Sequence, residues 1–291
     1  MPPPLHHIHL GRIPFHATSH LQSLLRASFL ASKLPSTTSP PPPPPPTLLT
    51  SVFEPTYTLG RRSHSPPPAL LSHLSTHSHA TVAATQRGGQ TTFHGPGQVT
   101  GYVLLDLSTF HLTPRCYIRL LEESVIALLR GYGVSGRVTE DPGVWVDDGD
   151  RGGGKICAVG VQMRRYVAAF GVGVNVHPDL WWFSRIVPCG LRGKRATSLR
   201  EVGVGVSTDE VAEGLAKALA GRLGVDVVEG TVQGTGVIGA QEWREVVERE
   251  WAAVKERTER AEVPLAVVRE REMRVLAEGG DVFPPEITGA F

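Results

Sequence analysis

The chain has 291 residues, with 29 Lys and Arg against 28 Asp and Glu, a balance that excludes a broad basic field for nucleic acid or an anionic membrane. Apolar residues make up 41% of it, enough to fill a sizeable core, and no apolar run reaches the ~18–20 residues that cross a bilayer. Its three cysteines, Cys116, Cys157 and Cys189, lack CxxC spacing, which excludes a zinc ribbon, argues against a disulfide scaffold and leaves free thiols as the expectation.

Charge is uneven: Glu54 is the only acid before Asp106, while Arg12, Arg26, Lys33, Arg61, Arg62 and Arg87 lie in the same stretch. An acid-poor, Ser- and Leu-rich N-terminal third is either the composition of an organelle-targeting segment or the basic surface of a folded domain. Leu5 to Leu10 alternates weakly and predicts a strand. From Thr18 onward, Leu21, Leu24, Leu25 and Phe29 share one helical face behind a Ser/Thr cap. Pro40 to Pro46 forbid helix and sheet and predict a stiff extended connection. Thr47 to Glu54 reads as a strand, and the His- and Pro-rich stretch from Ser63 to His79 as a mobile loop.

Thr100 to Leu107 predicts a strongly apolar strand. The helix after it has Ile118, Leu121, Val125, Leu128 and Leu129 on its inner face and ends at Gly131. Short strands follow at Gly143 to Val146, Ile156 to Gln162 and Phe170 to Val176. Ser207 and Glu210 form a capping box ahead of Val211, Leu215, Leu219 and Leu223. The glycine-broken segment at 225–240 reads as neither helix nor strand. Trp243, Val247, Trp251 and Val254 then mark one stripe of a charged amphipathic helix that stops before Pro264 and docks on the domain. Mixed strands with interspersed helices predict an α+β sheet domain rather than a regular βαβ series.

Three segments stand out chemically. Arg87 to Gln98, RGGQTTFHGPGQ, sets glycines around one histidine. Such a loop is either a turn-rich connection or a surface that lays backbone N–H groups and an imidazole against a ligand. It is neither a Walker nor a Rossmann fingerprint. In Phe183 to Gly190, FSRIVPCG, Pro188 and Gly190 hold Cys189 in a turn, where it is either structural filler or an exposed thiol. A thiol titrating near pH 8.5 needs a basic partner to act as a nucleophile. In Gly152 to Gly160, GGGKICAVG, Lys155 enters an apolar strand, either as a solvated strand end or as a charge beside a thiol. Cys116, at a helix start, and Cys157, in an apolar strand, read as inert.

Taken in order, these segments resemble the octanoyltransferases, the lipoyl(octanoyl) transferases that begin lipoate biosynthesis. RGGQTTFHGPGQ followed by GYVLLDL is similar to the family signature. GVWV, KICAVGVQMRR, FGVGVNV, DLWWFSRIVPCG and Thr197-Ser198-Leu199 match further motifs in the same order, and EPTYTLGRR resembles the element before them. The resemblance covers residues 5 to about 228. It implies a biotin/lipoate protein ligase catalytic-domain fold, a mixed β-sheet flanked by helices. It also implies a catalytic unit over 1–230, with a Pro-rich insertion at 35–46 and a flexible loop at 63–80, and a C-terminal helical extension over 231–291.

By the same resemblance Cys189 is the nucleophile and Lys155 assists it. The family's acyl-binding positions fall on Arg87, Gly88, Gly89, Gln90, Thr91, Thr92, Phe93 and His94, on Ala158, Val159 and Gly160, and on Gly171, Val172 and Gly173. No cofactor, ATP or metal is implied. The implied donor is octanoyl-acyl carrier protein, and the implied acceptors are lipoyl domains of 2-oxoacid dehydrogenase E2 subunits and the glycine cleavage H protein; neither a membrane nor nucleic acid is expected as a partner. Phe170 stands where the family commonly has His, Val187 where Asn is usual and Gln86 where Asp is frequent, so no imidazole role is expected at 170. The acid-free stretch from Met1 to Phe53 implies mitochondrial targeting, although family-like sequence from residue 5 leaves almost no room for a cleavable presequence ahead of it. The rival readings are an ATP-dependent lipoate or biotin ligase and a non-catalytic binding protein of the same fold.

Overall fold

The apolar run around Tyr102 forms β6 (Gln98–Asp106), and its alternation explains the layers on both sides of it. Val103 and Leu105 point into one core cluster, and Tyr102 and Leu104 into another, as a period of two requires. A strand buried on both faces reads as a continuous hydrophobic run. The computed structural model describes residues 2–35, 41–63, 66–75, 79–147, 153–187, 193–261 and 264–277.

β6 lies in an eight-stranded sheet. At one end β11 (Val227–Glu229) pairs with β1 (Leu5–Ile13) and β1 with β2 (Thr47–Phe53), both parallel. From β2 the order runs antiparallel through β6, β10 (Val167–Asn175), β9 (Gly154–Arg164), β8 (Val144–Val146) and β7 (Gly136–Arg137). Parallel neighbours need a crossover, and α1 (Phe15–Ala31) supplies the one between β1 and β2. The expected mixed sheet flanked by helices is therefore present.

On one face pack α3 (Pro114–Gly131) and α5 (Thr208–Leu223), through Leu121, Val125, Leu215 and Leu219. Their starts follow from local chemistry. Thr113 Oγ1 accepts the Cys116 N–H ahead of Pro114, and Ser207 and Glu210 cap each other reciprocally, as the capping box predicts. On the other face lie α1, through Leu21, Leu25 and Phe29, and α6 (Ala240–Glu259), through Val246, Trp243 and Val247.

A second sheet, ordered β4 (Thr81–Ala84), β3 (Thr56–Leu59), β5 (Thr92–His94), builds its own core with α2 (Pro68–Leu74), α4 (Trp181–Ser184) and α7 (Leu265–Ala277). Phe93 stacks on Trp182 at 5.0 Å, and the Tyr57 hydroxyl donates to the Trp182 carbonyl at 2.8 Å.

Several expectations are corrected. The stretch from Ser63 to His79 is not simply a loop: α2 starts with Pro68 in its first turn and buries Leu70 and Leu74 against this aromatic core, which outweighs its unpromising composition. α1 begins at Phe15 rather than Thr18 and has no side-chain cap, because Pro14 leads in and its carbonyl takes the Ala17 N–H; Thr18 is buried and bonds Ser51. α3 does end at Gly131, as expected, although the left-handed glycine that follows it is Gly133. The ambiguous 225–240 segment contributes β11, and α7 follows Pro264.

Candidate active site

β9 outruns its neighbour. β8 pairs with it only from Gly154 to Cys157, so beyond that point one edge of β9 is open. The loop at 87–89 partly closes it, with the Gly88 N–H donating to the Val161 carbonyl at 2.9 Å. Between loop, strand and the start of α3 lies a cavity of about 640 Å³.

Lining it are Arg87, Gly88, Gly89, Gln90, Thr92, His94, Lys155, Ala158, Val159, Gly160, Gly171, Val172 and Gly173, so most of the sequence-derived candidates come together in one place. Thr91 and Phe93 are not part of the lining. Both are buried, and alternation along β5 turns Phe93 into the aromatic core while its neighbours Thr92 and His94 face the cavity. Cys189 lies outside the described residues, as do Pro188 and Gly190.

Close backbone approach makes the floor. A Cβ at Gly171 would collide with the Gly101 carbonyl on β6, so β10 can lie this near only with hydrogen at that position.

Lys155 is buried, contrary to the solvated-strand-end reading. Its Nζ donates to the Pro142 carbonyl at 2.9 Å and sits 4.8 Å from the centre of the Trp145 ring, a cation–π contact. The Pro142 carbonyl is itself positioned from α3: Glu122 accepts the Gly143 N–H at 2.9 Å. On its backbone side Lys155 pairs with the segment that follows the PCG motif in sequence. Its N–H donates to Arg195 and its carbonyl accepts from Thr197, at 2.9 and 3.0 Å.

A directional chain of hydrogen bonds ties that segment to the histidine. The Thr197 carbonyl can only accept, so Asn175 Nδ2 donates to it at 2.9 Å. Asn175 Oδ1 then accepts from Gln98 Nε2 at 2.9 Å, which leaves Gln98 Oε1 to accept from His94 Nδ1 at 2.6 Å. The network thus assigns the Nδ1–H tautomer and leaves Nε2 as an acceptor. Burial, reinforced by the nearby Arg87 charge and opposed by the Gln98 bond, pushes the His94 pKa down to about 4; at neutral pH the ring is uncharged.

Arg87 spends its donors on structure. Nη2 and Nε bond Thr58, with Nη2 reaching the Thr58 carbonyl at 2.6 Å, and Nη1 bonds the Gly88 carbonyl at 3.0 Å. Phe170, at the family's histidine position, is buried with φ +62° and sets its ring edge-on to Tyr102 at 5.4 Å. Its N–H donates to Gln22 of α1 at 2.6 Å. The position is aromatic and steric here.

Sequence reading missed Arg61, Arg62, Tyr102, Pro114, Ile118, Asp141, Pro142, Val161 and Met163 in the lining. Only Val161 and Met163 had a signal, their alternation along β9; the rest arrive by tertiary proximity. Among the described residues no group of acidic, His and Cys side chains has the arrangement of a metal site.

Residues 34–220 match the family model of the lipoyl protein ligase A/B catalytic domain. The chain is 38% identical over 217 residues to a Danio rerio protein named octanoyl-[acyl-carrier-protein]:protein N-octanoyltransferase LIPT2, mitochondrial, covering 72% of this chain and 88% of that one. It is 42% identical over 159 residues to a probable octanoyltransferase of Schizosaccharomyces pombe, covering 54% of this chain and 68% of the relative. Among solved structures, a bipartite lipoate protein ligase described with its E2 lipoyl domain, from Thermoplasma acidophilum, matches with a TM-score of 0.58 at 18% identity, covering 86% of this chain and 91% of that one. That last likeness concerns the fold alone.

Proposed function

The chain belongs to the lipoyl protein ligase A/B catalytic-domain family, among its octanoyltransferases, and from that premise we propose that it moves an octanoyl group from an acyl carrier protein to a lysine of lipoyl domains by way of Cys189. The observation that carries this reading is the placement of Lys155: buried, lining the cavity, and paired through its backbone with Arg195 and Thr197. Arg195 follows Cys189 by six residues, and that much chain reaches about 20 Å at most.

In the first step the Cys189 sulfur, as the thiolate paired with the Lys155 ammonium, attacks the thioester carbonyl. A new C–S bond forms, the bond to the carrier's sulfur breaks, and the departing thiolate takes the proton from Lys155. In the second step the acceptor's lysine amine attacks the octanoyl-enzyme. The C–N bond forms, Cys189 leaves as thiolate, and the amine's proton passes to Lys155, which restores the thiolate–ammonium pair. Exchange of one thioester for another is nearly isoenergetic, and amide formation is downhill, so the scheme needs no nucleotide. Arg87 to Gln90, Thr92, His94, Ala158 to Gly160 and Gly171 to Gly173 line the cavity and hold the acyl chain. Burying eight carbons at about 0.8 kcal/mol per CH₂ contributes on the order of 5 kcal/mol, enough to favour medium chains. Acceptors in this reading are E2 lipoyl domains and the glycine cleavage H protein. The catalytic unit spans 1–230 and residues 231–291 extend it. The acid-free N-terminal stretch and the mitochondrial name of the Danio rerio relative support a mitochondrial location, which a fluorescent fusion confined to the cytosol would refute.

The deciding experiment incubates the protein with octanoyl-carrier and no acceptor. A mass gain of one octanoyl group, removed by hydroxylamine and absent in Cys189→Ala, is expected. A Cys189→Ala protein that still octanoylates a lipoyl domain sinks the covalent scheme.

A further inference from the structure

Two adjacent arginines at the cavity have no part in the scheme so far. Arg61 and Arg62 follow β3, line the cavity and are exposed. Their backbone seats them: the Arg61 N–H donates to the Arg87 carbonyl at 3.0 Å and the Arg62 N–H to the Gly89 carbonyl at 3.2 Å. Among the described residues neither guanidinium has a hydrogen-bonded or ionic partner. Arg87, the cation beside them, is already committed to Thr58 and Gly88, and Asp141 is an acid in the same lining.

We propose that Arg61 and Arg62 bind the phosphate of the phosphopantetheine arm that carries the octanoyl group, and so select carrier-type donors. The assignment rests on the transferase reading above. Three observations point to it. First, the cavity of about 640 Å³ exceeds the octanoyl group, which fills roughly 240 Å³ if each carbon takes the ~30 Å³ share of a water molecule; a second limb of the donor has room. Second, the distances agree. The arginine turn rests on the loop bonded to Val161, and Val161 lies about 20 Å along β9 from Lys155 at ~3.3 Å per residue. The arm advances about 16 Å from sulfur to phosphorus over its bonds, and an arginine side chain covers the remainder. Third, paired guanidinium groups match phosphate geometry, and such anions are what they bind most strongly.

The test compares Arg61→Gln/Arg62→Gln with the parent protein in single-turnover acylation, read by mass, with three donors: octanoyl-carrier, octanoyl-phosphopantetheine and octanoyl-pantetheine. The substitutions keep both backbone N–H groups and lie on exposed side chains. The double variant is expected to lose about tenfold or more in kcat/KM with the two phosphate-bearing donors and to match the parent with octanoyl-pantetheine. The parent's preference for the phosphorylated small donor should shrink as salt rises. Equal losses with all three donors, or none, overturn the proposal. A loss with octanoyl-carrier alone assigns the arginines to acidic side chains of the carrier protein instead, and also overturns it. If the parent gains no octanoyl group from any donor, the transferase reading itself has failed, and this assignment with it.

Discussion

His94 illustrates how a single residue's chemistry is set by its surroundings. Its folded pKa of about 4 lies below the ~6.5 of an unfolded chain, so between these values the unfolded state binds a proton that the folded state refuses. Stability is therefore fully present above pH 6.5 and is lost as pH falls toward 4, by on the order of 3 kcal/mol. Urea titrations at pH 7 and pH 5 should show a smaller drop for His94→Gln than for the parent. Equal drops would mean that the ring takes up its proton without penalty. His7, whose pKa burial lowers although Glu229 pulls it up, leaves part of the slope in both proteins. At Phe170 the left-handed backbone costs about 1 kcal/mol for a residue with a side chain, and Gln22 offsets it by accepting the buried N–H. Gln22→Ala should lose about 1–3 kcal/mol in urea unfolding, the usual cost of stranding a buried donor; a loss under about 0.5 kcal/mol would show that the amide finds another acceptor.

Among the elements, α7 has the least obvious task. Residues beyond 220 lie outside the family match, yet Glu272 of α7 supplies the carboxylate for Arg185, which is buried and also donates to the His73 carbonyl and faces Trp181. Arg185 lies four residues before Cys189. Glu272→Ala strands a buried charge and should cost about 3–5 kcal/mol, whereas Arg185→Met with Glu272→Leu should cost far less, because the desolvation is removed with the pair. Breaking the more exposed Arg269–Asp179 pair should cost no more than about 1 kcal/mol. Thermal melts of the three variants rank these contributions, and a Glu272→Ala protein as stable as the Arg269→Ala one would contradict the account. α7 was poorly legible because its apolar residues cluster at its two ends around a charged middle, with Val268 the one buried, and α2 because seven residues after a proline run carry almost no period. α3, α5 and β6 carried long, clean patterns and were legible for that reason.

Across the whole molecule, the cavity exists because β9 extends past β8 and because β10 presses against β6 at Gly171. Gly171→Ala should force these strands apart. We expect it to slow acylation of Cys189 and to lower the melting temperature together; a loss of stability with acylation unchanged would show that the floor does not depend on this contact. The motif residues around the cavity were legible as a set, while Arg61, Arg62, Asp141 and Ile118 were not. Their side chains meet through loops and registers distant in sequence.

By itself the amino-acid sequence determined the periodic helices and strands, the capping box at Ser207, the mixed-sheet architecture and the ordered motifs that mark the family. Only the tertiary structure decided that Lys155 is buried over Trp145, that Phe93 and Thr91 turn away from the cavity, and which tautomer His94 adopts. The division is physical. Periodicity and capping act within a turn or two of chain, whereas burial, register and hydrogen-bond direction come from partners such as Gln22 and Phe170, 148 residues apart, that meet only once the sheet has closed.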